Sequence, residues 1–172
     1  MPRDHGRVPP RSRNRGGDRR HSADRVSQLL CDTGVLIALY DRSDSYHARC
    51  VRFMQRRSGT LLVPEPVLGE ACNFLRNHLR SGPALEIQLL EAFTATGADT
   101  EIVNPTPEDR KRATELARQL VTGPLGYVDA IILATAERLK VTDIASVDFK
   151  FLGMAGPVSR IQPLNWVLQE FG

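Results

Sequence analysis

From residue 26 onward, short apolar runs alternate with stretches of helical period, and this alternation restricts the fold more than any other feature of the chain. "SQLLCDT" and "TLLVPE" are apolar on consecutive positions, as strands covered on both faces are. "TEIVNP" and "VTDIASVD" supply a third and a fourth strand, and "SRIQPL" is a candidate fifth. Helix signals fill the gaps. "GVLIALY" is a short helix, and "SDSYHARCVRFMQRR" opens with a Ser/Asp cap. "PVLGEACNFLRNHLR" begins with proline, a favoured first helical residue, and carries the apolar stripe Val67, Leu68, Ala71, Cys72, Leu75 and Leu79. "ALEIQLLEAFTATG", "TPEDRKRATELARQL" and the mostly apolar "GYVDAIILATAERLK" follow, the last of them central. The pattern predicts an α/β fold whose mostly parallel sheet is covered on both faces.

The first 25 residues break the pattern. "MPRDHGRVPPRSRNRGGDRRHSADR" has almost no large apolar side chain and cannot build a core. Residues 1–25 therefore read as a disordered basic tail and residues 26–172 as one folded domain, with a phosphate-binding arm as the alternative for the tail. The tail holds eight arginines and three aspartates, about +5, whereas the other 147 residues hold 15 Lys+Arg and 17 Asp+Glu, about −2. The net +3 thus hides a slightly acidic domain. No run reaches the ~18 apolar residues of a membrane span, and no apolar signal segment follows the basic start. Cys31, Cys50 and Cys72 are few and widely spaced, which fits reduced thiols in a cytoplasmic protein.

Four acids interrupt apolar segments. Asp32 closes "LLCD" and Asp148 closes "IASVD", so two strands end alike. The carboxyl ends of strands form the functional edge of an open parallel sheet. Glu70 interrupts "PVLGEACNFL", and Asp129 interrupts "GYVDAIILA" near a helix start. Asp32 or Asp129 alone is readable as a helix cap, Glu70 as a solvated residue and Asp148 as the start of a turn before "FKF". Together they point to a metal site, because clustered carboxylates repel and a divalent cation offsets the repulsion. Oxygen ligands select Mg²⁺, or Mn²⁺ as substitute, over zinc. Asp143, at the start of its strand, is read as a solvated residue on the opposite edge.

"LLCDTGVLIALYDRSDSYH", "VPEPVLGEACNFL" and "GYVDAIILATAERLKVTDIASVD" together resemble the PIN-domain family, and most of all its VapC-type toxins of bacterial toxin–antitoxin pairs. The likeness covers roughly residues 27 to 165. Its acid order, Asp-Glu-Asp-Asp, matches Asp32, Glu70, Asp129 and Asp148, and Thr33 matches the hydroxyl residue that often follows the first acid. The resemblance implies a three-layer α/β/α sandwich with four to five strands. It also implies a magnesium-dependent endoribonuclease that leaves 5′-phosphate and 3′-hydroxyl ends, usually a homodimer, held in check by a small antitoxin. "DFKFLG" stands where the family often places Arg-Arg or Arg-His, and the tail lies outside the family pattern.

The sequence reading is therefore a metal-dependent endoribonuclease, with Asp32, Asp129 and Asp148 as metal ligands. Glu70 is a fourth catalytic acid able to take a water's proton. Arg42, Arg49, Arg76 and Arg80 are assigned to RNA on composition alone. Alternatives are a non-toxin PIN nuclease in RNA processing and a non-catalytic module that binds RNA or a partner. A phosphatase on a similar sheet usually needs a second Asp two residues after the first, and position 34 is glycine. His47 reads as solvated surface, and His78 as partly buried structure.

Overall fold

The computed structural model describes residues 27–95, 99–119, 123 and 125–171. The expectations for residues 1–25 lie outside the described residues.

Among the described residues the chain runs β1 (Gln28–Cys31), α1 (Thr33–Tyr40), α2 (His47–Arg56), β2 (Thr60–Pro64), α3 (Glu65–His78), α4 (Gly82–Thr94) and β3 (Thr100–Val103). It continues through α5 (Pro107–Gln119), α6 (Tyr127–Leu139), β4 (Asp143–Ala145), α7 (Phe149–Val158), β5 (Asn165–Trp166) and a 3-10 turn over Val167–Phe171. The strands form one parallel sheet in the order β3-β2-β1-β4-β5. The chain moves outward from β1 to β2 and β3, then returns past β1 to β4 and β5. Right-handed crossovers in opposite directions place α1–α4 on one face and α5–α7 on the other. The packing agrees: α1 and α4 lie against α3, and α5 lies against α6. The result is the expected α/β/α sandwich.

The apolar runs do what their composition predicts. Leu30, Cys31, Val63 and Ile144 have no exposed surface, and on α6 every residue from Ala130 to Ala136 is buried. Five residues of the α3 stripe, Val67 to Leu75, are buried, and Leu79 packs partly against the core. Cys31, Cys50 and Cys72 are all free and buried, and burial pushes each thiol up from its ordinary pKa.

Two expectations and one alternative need correction. The fourth strand is only Asp143–Ala145 of "VTDIASVD", because Ser146 turns out of the ladder and accepts the Asp148 N–H on its hydroxyl at 3.0 Å. "SRIQPL" is not a strand. It is tied back to α5 and α6, with Arg160 N donating to Glu137 at 2.9 Å and the Arg160 guanidinium bonded to Glu115, and the fifth strand starts after it at Asn165. "FKFLGMAGPV" is the helix α7 rather than a turn, capped by the Asp148 side chain and buried through Phe151 and Ala155.

Candidate functional site

The strand order reverses between β1 and β4. In parallel sheets the crevice outside the carboxyl ends at such a reversal is where ligands bind. Asp32 and Asp148 both lie there. Register pairs Cys31 with Ala145, and Asp32 N donates to Ala145 O at 2.9 Å. Asp32 is the residue just past β1 and the cap of α1, and only 5% of its surface is exposed. Its Oδ1 accepts the Thr33 N–H at 2.6 Å and its Oδ2 accepts the Ser146 hydroxyl at 2.5 Å.

The other acids reach the same edge from helices, Asp148 and Asp129 at helix starts and Glu70 from the second turn of α3. Asp148 caps α7, its Oδ1 accepting Lys150 N at 2.8 Å and Phe151 N at 3.3 Å. Asp129 sits in the first turn of α6 with Oδ2 on Gly126 N at 3.0 Å. Glu70, exposed on α3, accepts the Thr33 hydroxyl on Oε2 at 2.6 Å, which ties α3 to α1. The capping alternatives for Asp32 and Asp129 are thus real, and Asp148 is a cap as well. They do not account for the burial of Asp32 or for four acids meeting at one edge. Oδ1 of Asp129, Oδ2 of Asp148 and Oε1 of Glu70 accept no hydrogen bond among the described residues.

Electrostatics ties the acids together. Burial pushes Asp32 up to about 6, its hydrogen bonds from Ser146 and Thr33 oppose this, and the charges of Asp129 and Asp148 add to the rise. Asp129 is also raised, first by burial and then by the charges of Asp148 and Glu70. Like charges in a partly dry crevice disfavour one another's ionisation, and a cation would relieve all of them. Unused carboxylate oxygens with no neutral nitrogen or thiolate among them suit a hard, oxygen-seeking ion, so the donor chemistry fits Mg²⁺ or Mn²⁺. As the side chains stand, no three acids, histidines or cysteines among the described residues converge closely enough to hold one ion.

The remaining site candidates separate. Arg42 and Arg80 line a common cleft of about 690 Å³ between the end of α1 and the α3–α4 junction. Arg76 is instead paired with Glu86, and Arg49 lies over the Tyr46 ring, 5.8 Å from its centroid. Asp143 begins β4 at the opposite edge, as expected, but it is part-buried and accepts from Asn165 Nδ2 at 2.7 Å rather than being simply solvated. His47 is half-buried, with Nδ1 2.7 Å from Ala38 O, whereas His78 is exposed and stacked on Phe74.

Two site residues escape a search for acids. Ser146, fully buried, joins Asp32 to the Asp148 backbone. Its only sequence signal is a hydroxyl within an apolar run, two positions before the acid. Gly34 lets α1 approach the β4–α7 loop, since a Cβ there would stand 2.6 Å from Val147 Cγ2.

The comparisons with known proteins agree with this architecture. A search of solved structures matches VapC20 of Mycobacterium tuberculosis, a sarcin–ricin loop cleaving toxin, at TM-score 0.66 and 18% identity over 73% of this chain and 93% of that one. A toxin–antitoxin complex from Klebsiella pneumoniae matches at TM-score 0.55 and 19% identity, covering 72% and 89%. VapBC2 from Rickettsia felis, bound to a fragment of its promoter DNA, matches at 0.54 and 15%, covering 74% and 92%. At these identities the likeness is one of fold. No curated protein matches. The PIN domain family profile matches residues 29–157, three quarters of the chain, and the chain belongs to the PIN domain family.

Proposed function

We propose that the protein is an endoribonuclease toxin that hydrolyses RNA phosphodiester bonds at the Asp32, Glu70, Asp129 and Asp148 edge. The supporting observation is the buried Asp32 carboxylate, electrostatically coupled to Asp129 and Asp148 at the point where the strand order reverses. Asp32, Asp129 and Asp148 would hold Mg²⁺ or Mn²⁺. When bound, such an ion supplies an activated water and screens charge developing on the phosphate. Ser146 and the Thr33 N–H fix the Asp32 carboxylate, so it is oriented before substrate arrives. Glu70, exposed and held by Thr33, takes the attacking water's proton. Because the edge is acidic, cations farther out must hold the RNA backbone, and Arg42 and Arg80 share a cleft suited to this.

The toxin–antitoxin complex among the similar structures supports a small antitoxin partner, which in this reading would cover the acidic edge. A homodimer, as the family resemblance implies, and a cytoplasmic location belong to the same reading. No helix among the described residues is long and apolar enough to cross a membrane. The direct test is RNA incubated with the purified full chain and Mg²⁺, with and without EDTA. Cleavage that EDTA abolishes supports the reading, and a metal-independent or absent reaction contradicts it. In cells, induction without an antitoxin arrests growth, and Asp129→Ala relieves the arrest. Harmless expression of an active enzyme favours a housekeeping nuclease instead.

A further inference from the structure

Helix α2 carries a line of positive charge that the fold does not use. Arg49, Arg52 and Arg56 follow one another at helical spacings of three and four, so they share one face, while Cys50 and Phe53 are buried on another. Arg52 and Arg56 are exposed, and Arg49 is half-buried beside the Tyr46 ring. None of the three guanidiniums makes an ion pair among the described residues. Elsewhere arginines on helices meet acids: Arg76 of α3 pairs with Glu86, Arg112 of α5 with Glu137, and Arg138 of α6 with Asp109. Helix α2 has no acid of its own. The acids just before it, Asp41 and Asp44, are held in turns by the Ser43 hydroxyl and the Tyr46 N–H. Helix formation does not account for the stripe. The helix dipole favours Arg56 in the last turn but opposes Arg49 in the first, and like charges at these spacings repel.

Contacts fix where the stripe ends. Arg57, directly after α2, donates to Gly59 O at 2.6 Å and to Asp99 O at 3.0 Å, just before β2 and β3 begin. Arg56 lines a cleft of about 320 Å³ together with Ser27, Gln28 and Asp143, at the starts of β1 and β4. The stripe therefore runs down to the amino edge of the sheet, and the length of β1 sets that edge about 13 Å from Asp32. The arginine-rich residues 1–25 join the domain beside the same cleft, so positive charge continues from the stripe into the tail. We infer that the α2 stripe is a second RNA-binding surface, which takes the phosphate backbone of the substrate away from the cleaved bond. This rests on the nuclease reading above. Unpaired arginine forks suit phosphate oxygens, and a polyanion gains affinity by releasing counterions to them. The distance of about 13 Å corresponds to roughly four nucleotides of a stacked strand at ~3.4 Å each. An oligonucleotide that fills only the acidic edge cannot reach the stripe, whereas a long RNA occupies both.

The test uses the full chain, a fluorescent mixed-sequence RNA of about 30 nucleotides and pieces of it about 6 nucleotides long. Anisotropy in EDTA at several salt concentrations reads binding, and cleavage kinetics in Mg²⁺ read KM and kcat separately. The triple variant Arg49→Gln, Arg52→Gln, Arg56→Gln should bind the long RNA roughly 10- to 100-fold more weakly and raise its KM as much, with kcat nearly unchanged. Its log–log salt dependence should flatten by about 2, as the loss of three phosphate contacts on a single strand requires. Lysine at the same three positions should keep most of the affinity and the slope. The short pieces should be handled alike by wild type and variant, and melting temperatures should not fall, because the stripe makes no ion pair in the fold. A glutamine variant that binds and cuts the long RNA like the wild type, with the same salt slope, overturns the inference and leaves the nuclease reading intact. Equal impairment on long and short RNA overturns it too, since the arginines would then act at the acidic edge. A variant that keeps RNA handling but loses a protein inhibitor overturns it and makes α2 a protein contact. A wild-type chain that binds the long RNA through the stripe but never cuts it contradicts the nuclease reading alone, and one that neither binds nor cuts overturns both.

Discussion

The Ser146 hydroxyl donates to Oδ2 of Asp32 at 2.5 Å across the gap between β1 and β4, and both residues stand just beyond the ends of those strands. A buried carboxylate keeps one oxygen on this hydroxyl and the other on the Thr33 N–H, so its geometry is set by backbone and strand register rather than by solvent.

The pKa of Asp32 makes stability depend on pH. The folded state raises this carboxyl to about 6, above the usual aspartate range, so the folded chain holds the proton more tightly than the unfolded chain. Ionised Asp32 therefore costs stability. The cost is absent below the unfolded pKa, grows as pH rises toward 6, and is complete above it at about 3 kcal/mol. In EDTA, Asp32→Asn should melt several degrees above the wild type at neutral pH and should lose that advantage in acid. Thermal melts followed by circular dichroism across the acid range check this. A difference independent of pH would mean that Asp32 ionises as freely in the fold as in water.

Gly34 and Val147 form a steric pair. Gly34→Ala places a Cβ 2.6 Å from a stiff valine methyl. The clash should cost about 1–3 kcal/mol, as overpacking does, and should push the loop that carries Asp148. Val147→Ala in the same chain should recover most of that loss in urea unfolding. Equal stability of the single and double variants would show that the loop absorbs the methyl.

On the α5–α7 face, Arg112 makes a two-pronged bond to Glu137, at 2.8 and 3.0 Å, and a third bond to Val158 O at 2.9 Å. Both charged side chains are about nine-tenths buried. Arg112→Met leaves Glu137 buried without its main partner and should cost roughly 3–5 kcal/mol. Adding Glu137→Leu should return much of that, because removing both charges also removes the desolvation cost. A double-mutant cycle in urea with no coupling would contradict the pairing.

The sequence carries the alternation of strands and helices plainly, because fully covered strands and amphipathic helices bury different apolar patterns. It hides α7, because Gly153, Gly156 and Pro157 count against a helix, while the cap from Asp148 and the burial of Phe151 and Ala155 outweigh them. It also hides the fifth strand, which is only two residues long and pairs through β4 rather than through any pattern of its own. The four acids are visible as charges in apolar runs. Their double duty is not: Asp32, Asp129 and Asp148 each cap a helix as well as face the crevice, and one residue type serves both ends. Ser146 is illegible for the same reason, since one hydroxyl at the end of an apolar run looks like any other until the β1–β4 register brings it to Asp32.

The central claim is that chemistry happens at the edge where β1 and β4 end. Asp143 and Asp148 bracket β4, one at each edge of the sheet, and a three-residue strand with the turn after it keeps them well apart. The decisive measurement compares Asp148→Asn with Asp143→Asn in the Mg²⁺-dependent RNA cleavage assay, with melting curves to show that both are folded. Asp148→Asn should lose most of the activity, and Asp143→Asn should stay near wild type. Loss with Asp143→Asn and full activity with Asp148→Asn would put the chemistry at the other edge of the sheet and contradict a site built on Asp32 and Asp148.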